Sequence, residues 1–62
     1  MDIDKLIEEF EKSGLGNNEL AELSGVNKAT VSMLLNRKIL AVTSDTVKKL
    51  EIALGLPKGT LL

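Results

Sequence analysis

The chain has 62 residues and a formal net charge of −1; 44% of its residues are hydrophobic, and Phe10 is the only aromatic one. This length excludes a second domain, and a composition rich in Leu, Ile and Val favours helices around an aliphatic core over a sheet. The absence of cysteine and histidine excludes disulfides, thiol nucleophiles and the usual zinc ligands, so we expect no metal and no cofactor.

The charged residues are unevenly distributed along the chain. Residues 1–24 contain seven acidic and two basic side chains, a formal charge of −5, whereas residues 25–62 contain six basic and two acidic ones, +4. If the two halves face different directions, one surface can meet phosphate while the other repels it. No apolar run is long enough to cross a bilayer and no signal peptide is recognisable, so we predict a cytoplasmic protein without membrane contact.

The apolar residues near the start of the chain have the spacing of an amphipathic helix. They fall at i, i+3, i+4 and i+7, which places them on one face. Asp2 suits the N-cap of this helix, and Gly14 can adopt the left-handed conformation that ends it. The predicted buried stripe consists of Ile3, Leu6, Ile7 and Phe10.

The stretch from Asn17 to Leu34 predicts two short helices joined by a tight turn, with the rest of the chain as their scaffold. The asparagine pair at its start supplies an N-cap for the first helix, in which Leu20 and Leu23 are predicted to point inward. Gly25 can take the positive φ that a tight turn requires, and Val26 is predicted to re-enter the core. This arrangement is a helix-turn-helix.

The second helix of the pair is predicted to run from Asn27, its N-cap, to Asn36. Val31, Leu34 and Leu35 form its buried stripe, which leaves mainly small and polar residues on the opposite side. Those outward residues are Ala29, Ser32, Met33 and Asn36, with Asn27, Lys28 and Thr30 near the exposed N-terminal end.

The remaining residues predict two further helical elements. The apolar run at residues 39–42 should be covered, either by folding onto the core or by a subunit contact. A fourth helix is predicted from about Asp45 to Leu54, with Gly55 as its stop. Pro57 suits the first position of a final helical turn. The sequence therefore predicts an all-α fold of five short helices.

Several of these residues occupy the relative positions of a known family. Leu20-Ala21, Gly25, Val31 and Leu34 match the leucine-alanine pair, the turn glycine, the β-branched residue and the leucine of lambda-repressor-like, Xre-type helix-turn-helix domains. The chain resembles this family over almost its whole length, up to the end of the fourth helix. The resemblance implies a compact all-α bundle of about five short helices with a central helix-turn-helix, formed by residues 1–62, that binds DNA sequence-specifically.

The resemblance also implies a role for each exposed residue of the motif. In such domains the second helix enters the major groove while the first crosses the DNA backbone. The side chains suit this role, since lysine can donate to guanine, serine can donate or accept, and alanine or methionine can contact a thymine methyl. The family commonly has glutamine where this chain has Asn17, an amide with a shorter reach. The implied base contacts are Asn27, Lys28, Ala29, Thr30, Ser32 and Met33, and the implied phosphate contacts are Asn17, Asn18, Asn36, Arg37 and Lys38.

Plainer structural alternatives exist for several of these residues. Met33 could fill a gap in the core or contact a second subunit. Thr30 and Ser32 could be ordinary solvated helix surface, and Arg37 and Lys38 could serve solubility alone.

The leading hypothesis is a phage-type or bacterial repressor that binds double-stranded DNA at a pseudo-palindromic operator, as a homodimer. The alternative is a protein-interaction module that keeps the fold without binding DNA, which the negative net charge favours. An enzyme is disfavoured because no histidine, cysteine or phosphate loop accompanies the carboxylates. The length leaves no room for an effector-binding domain, so we expect no small-molecule ligand. The candidate dimer contacts, several of which could instead complete the core, are Ile39, Leu40, Val42, Ile52, Leu61 and Leu62.

Overall fold

A computed structural model describes residues 1–62 and contains four α-helices and no strand. The helices are α1 (Ile3–Ser13), α2 (Asn17–Ser24), α3 (Lys28–Leu35) and α4 (Ser44–Ala53). The all-α fold with a central helix-turn-helix is therefore confirmed. No helix is both long enough and apolar enough to cross a membrane.

The fifth helix predicted after Pro57 is a pair of turns instead. The Thr60 N–H donates to the Pro57 carbonyl and the Leu62 N–H to the Gly59 carbonyl, both at 3.2 Å. Gly59 has a φ of +92°, a conformation that an α-helix does not contain. The glycine therefore interrupts the helical path that proline begins.

The four helices pack around one aliphatic core. α2 contacts both α3 and α4, and α1 packs against α3. Complete burial of each leucine side chain contributes about 1.5–3 kcal/mol relative to exposure, so the core residues dominate the stability of this small chain. The buried apolar side chains are Ile3, Leu6, Leu20, Val31, Leu34, Val47, Leu50 and Leu61.

The ends of α1 confirm the predicted caps. The Asp2 carboxylate accepts the Lys5 N–H at 3.0 Å, and Gly14 adopts the left-handed conformation with φ +73°. The outer face of this helix is acidic and partly compensated by its own lysines. Lys12 Nζ lies 3.0 Å from a Glu8 carboxylate oxygen, and this hydrogen bond and the lysine charge lower the pKa of Glu8.

Two expectations for α2 are wrong. Gly16, rather than an asparagine, is the N-cap, and the Glu19 carboxylate accepts its N–H at 3.1 Å. Leu23 does not point inward but is 61% exposed. The core side of α2 is centred on Leu20, with Ser24 one turn later, so the buried arc lies on the other side of Leu20 from Leu23.

The C-terminal segment corrects one of the predicted dimer contacts. Leu61 is fully buried and belongs to the core, so it offers no surface to a second subunit. Its N–H donates to Glu51 Oε2 at 3.0 Å, and its carbonyl accepts the Asp2 N–H at 2.8 Å. These two hydrogen bonds join the end of the chain to α4 and to the start of α1.

The apolar run at residues 39–42 folds back onto the protein in part, since two of its four residues are exposed. Ile39 and Val42 are partly buried and pack against the core, whereas Leu40 remains exposed. The hydrophobic effect explains this placement, because a loop that connects two core helices can cover their apolar sides. Of this run, Leu40 presents most of its side chain to solvent.

Candidate nucleic-acid interface

The turn between α2 and α3 is fixed by Gly25 and by a serine. Gly25 has φ +74°, and its N–H donates to the Ala21 carbonyl at 2.9 Å. Ser24 Oγ donates to the Leu20 carbonyl at 2.7 Å and accepts the Val26 N–H at 3.1 Å. Ser24 therefore connects the end of α2 to the first residue after the turn. Its hydroxyl, directly before a helix-ending glycine, is the sequence signal that could have identified this role.

Asn27 caps α3, as predicted. Its Oδ1 accepts the Ala29 N–H at 2.8 Å. This hydrogen bond occupies the oxygen of the side-chain amide and leaves the Nδ2 group as its donor toward other molecules. Lys28 and Ala29 follow in the first turn and are exposed.

The core fixes the rotation of α3 about its own axis. Val31 and Leu34 are buried, so the residues on the other side of the helix must face outward. Positions i, i+1, i+4 and i+5 share that outer side, and three of its four residues are exposed while Ser32 is half-buried. Thr30 is half-buried beside them. The outer side consists of Lys28, Ala29, Ser32 and Met33.

Met33 does not lie in the core, which was one of the alternatives for this residue. Met33 is 36% exposed, the smallest value among the exposed large hydrophobic residues, and it is absent from the set packed against the core. An exposed, flexible thioether on a polar helix face is suited to an apolar contact with another molecule.

The end of α3 is closed by hydrogen bonds from three consecutive residues. Asn36 Nδ2 donates to the Ser32 carbonyl at 2.8 Å and to Ser32 Oγ at 3.3 Å. Arg37 follows in the left-handed conformation, with φ +59°, and its N–H donates to the Leu34 carbonyl at 3.1 Å. The Lys38 N–H donates to the Met33 carbonyl at 2.8 Å. A left-handed φ is unusual for a residue other than glycine, so the hydrogen bonds around Arg37 must hold its backbone in this conformation.

The side chains predicted to contact phosphate lie in different electrostatic environments. Asn17 and Asn18 are exposed in the first turn of α2, where free N–H groups and the helix dipole favour an anion. Arg37 Nη1 lies 2.6 Å from Asp4 Oδ1 on α1, whereas Lys28 and Lys38 form no ion pair. Sequence reasoning did not find the partner of Arg37, because the pairing depends on how α1 packs against α3.

Apart from the two lysines of α1, the remaining basic residues lie in α4 or after it. A cleft of about 240 Å³ is lined by Lys48, Glu51, Ile52, Leu56 and Lys58. No cluster of acidic side chains has the composition of a metal site. The cleft lies outside α2 and α3. The small and polar outer side of α3, with its flanking residues, is the surface whose chemistry suits DNA.

The structure places residues 17–35 in the form that defines a helix-turn-helix. Two short helices meet at a glycine turn, and the second is held by the core on one side and presents small polar residues on the other. A family model described as helix-turn-helix, of the Cro/CI/Xre type, matches residues 6–61. The chain belongs to this family and is a lambda-repressor-like, DNA-binding helix-turn-helix regulator domain. No curated protein and no solved structure matches the chain.

Proposed function

We propose that the chain is a sequence-specific transcriptional repressor that inserts α3 into the major groove of a pseudo-palindromic operator as a homodimer. The observation that carries this proposal is the outer side of α3, which faces solvent because Val31 and Leu34 anchor the opposite side in the core. Occupancy of the operator then blocks access of polymerase to the promoter.

The side chains of α3 have distinct roles in this proposal. Lys28 donates to guanine O6 or N7, Ser32 donates or accepts, and Ala29 and Met33 contact thymine methyl groups. Asn27 and Thr30 contact bases from the N-terminal end. Around the helix, the phosphate contacts are Asn17, Asn18, Asn36, Arg37 and Lys38.

The limited positive charge of this surface predicts weak binding of DNA by one subunit and a strong dependence of the affinity on dimerisation. Lys28 and Lys38 are the two cations at α3 without an acidic partner, so one subunit can neutralise few phosphates. The electrostatic contribution supplies essentially all non-specific affinity for DNA. A monomer should therefore bind weakly, and a dimer doubles the number of phosphate contacts.

We expect the double variant Lys28→Ala, Ser32→Ala to lose sequence preference while it retains weak non-specific affinity. Each well-placed side-chain contact to a base contributes about 1–3 kcal/mol of discrimination, so the enrichment of one site over random DNA should fall at least tenfold. The measurement is selection from a randomised duplex pool at low and moderate salt, followed by titration of the enriched site.

The matched control for this experiment is Lys49→Ala, which removes the same charge from the exposed surface of α4. It should leave the enriched sequence unchanged. If wild type enriches no sequence even at low salt, or if the control loses as much preference as the α3 variant, the assignment of α3 as the reading helix is wrong.

The homodimer requires apolar surface outside α3. Ile52 is 77% exposed and Leu62 is 81% exposed, and Leu40 also presents most of its side chain to solvent. Ile39 and Val42, which are partly buried, can contribute only their outer atoms. Of these residues, Ile52 lines the cleft at α4. An exposed apolar side chain there is suited to a self-complementary contact.

We expect Ile52→Glu to shift the protein to the monomer, because the contact would bury a charged carboxylate in place of an apolar side chain. Sedimentation equilibrium should show at least a tenfold weaker self-association, with a parallel loss of affinity for the paired half-sites. Leu23→Glu is the control, since it introduces the same charge at an exposed leucine on α2. Equal effects of the two substitutions, or a monomeric wild type at high concentration, would contradict this interface.

A further inference from the structure

The only ion pair that connects different parts of the fold joins Arg37, just after α3, to α1. Arg37 Nη1 and Asp4 Oδ1 are 2.6 Å apart, and both side chains are largely solvent-exposed, at 55% and 83%. Every other ion pair of the chain connects residues within α1. The Arg37–Asp4 pair therefore brings a negative charge to the margin of the DNA-binding surface.

The local structure fixes the backbone positions of both residues of this pair. Asp4 lies in the first turn of α1, next to the N-cap Asp2 and the buried Ile3. Arg37 has the left-handed φ of +59°, and its own N–H is bonded to the Leu34 carbonyl. Packing of α1 against α3 thus determines that the carboxylate and the guanidinium meet.

Asp4 differs from Glu8 and Glu9 of α1 in the basic residue with which it pairs. Glu8 and Glu9 pair with Lys5 and Lys12 on the same helix, so their charges are balanced locally. Asp4 has no lysine partner on α1 and pairs instead with the arginine that follows α3. It therefore reduces the positive charge at one of the proposed phosphate contacts.

We propose that Asp4 sets the affinity of the domain for DNA by competing with the phosphate backbone for Arg37; this inference rests on the proposed docking of α3. An arginine that stays paired with a carboxylate neutralises no phosphate, so it contributes nothing to the release of DNA counterions. Exposed ion pairs are weak, so Arg37 can leave Asp4, but the carboxylate then remains unpaired and close to the negatively charged DNA. Asp4 thus limits both the strength and the salt dependence of binding.

The test is the variant Asp4→Asn, titrated with a random-sequence duplex over a series of salt concentrations. We expect severalfold tighter binding than wild type at low salt. The slope of log K against log salt should become steeper by about 0.9 for each subunit that gains a free cation. Asparagine remains compatible with an exposed helix surface, and Asp4→Ser provides a second variant if thermal melting shows that α1 is disturbed.

Two controls separate the ion pair from the overall charge. Glu11→Gln removes one negative charge from the same helix at an exposed residue that forms no ion pair, so its slope should stay close to that of wild type. In an Arg37→Ala background, Asp4→Asn should have little further effect on the slope. Equal changes for Asp4→Asn and Glu11→Gln, or unchanged or weaker binding by Asp4→Asn, would overturn the proposal.

The outcome is also distinguishable from a failure of the proposed function. The salt series uses random DNA, so it does not depend on whether α3 reads an operator. Wild type that binds random DNA without sequence preference would contradict the operator proposal and leave the role of Asp4 testable. Absence of any binding by wild type and by Asp4→Asn at low salt would contradict both.

Discussion

Leu34→Ala is expected to leave the domain largely unfolded near room temperature. Leu34 is fully buried on the core side of α3, and truncation of such a leucine costs about 2–5 kcal/mol. Native domains have about 0.05–0.15 kcal/mol of stability per residue, so a chain of 62 residues has little to lose. Circular dichroism during thermal and urea denaturation should show the loss, and DNA affinity should fall with the folded fraction.

The control is Met33→Ala, at the adjacent residue on the exposed side of the same helix. Alanine favours helices and removes no core contact, so the free energy of unfolding should change by less than about 1 kcal/mol. The two variants therefore separate the scaffold from the binding surface. If Met33→Ala unfolds the protein as much as Leu34→Ala, the rotation of α3 is different from the one described.

Those parts of the fold that local chemistry determines could be predicted from the sequence. The spacing of Ile3 and Leu6, the capping by Asp2 and Asn27 and the positive φ of Gly25 each depend on neighbours within a few residues. The fifth helix was predicted wrongly because Pro57 gives a valid start signal, but Gly59 ends the helical path two residues later. A start signal does not specify how far a helix continues.

Leu23 shows where periodicity is insufficient. Leu20 and Leu23 are three residues apart and can share a helix face, yet Leu20 is buried and Leu23 is exposed. α2 is packed between α3 and α4, and this packing turns Ala21 and Ser24 toward the interior. The hydrophobic pattern of a short helix thus limits its buried side to an arc but does not select the position within that arc.

The candidate site was predictable as a segment but not as an electrostatic surface. The motif is contiguous in sequence, so its helices and its outward residues follow from local pattern and from the family resemblance. The pair between Asp4 and Arg37 joins segments that are distant in sequence and meet only through the packing of α1 on α3. Net charge along the chain does not reveal which of the basic residues are already neutralised.

Glu51→Ala is expected to destabilise the protein by about 2 kcal/mol, because it leaves a buried donor without an acceptor. Glu51 is buried, and its Oε2 accepts the N–H of Leu61 at 3.0 Å. A carboxylate acceptor makes this bond stronger than a bond between neutral groups. The loss should release the last residues of the chain, including Leu61, whose side chain fills the core. Urea denaturation and amide hydrogen exchange at Leu61 are the measurements.

Glu51→Gln separates the hydrogen bond from the charge. Its amide oxygen can still accept the Leu61 N–H, so the loss of stability should be less than half of that for alanine, with slow exchange retained at Leu61. Lys48 and Lys58 line the cleft beside Glu51 and offer a competing reason for the carboxylate. If glutamine destabilises the protein as much as alanine does, balance of these two charges, rather than acceptance of the backbone N–H, is what keeps Glu51 in the interior.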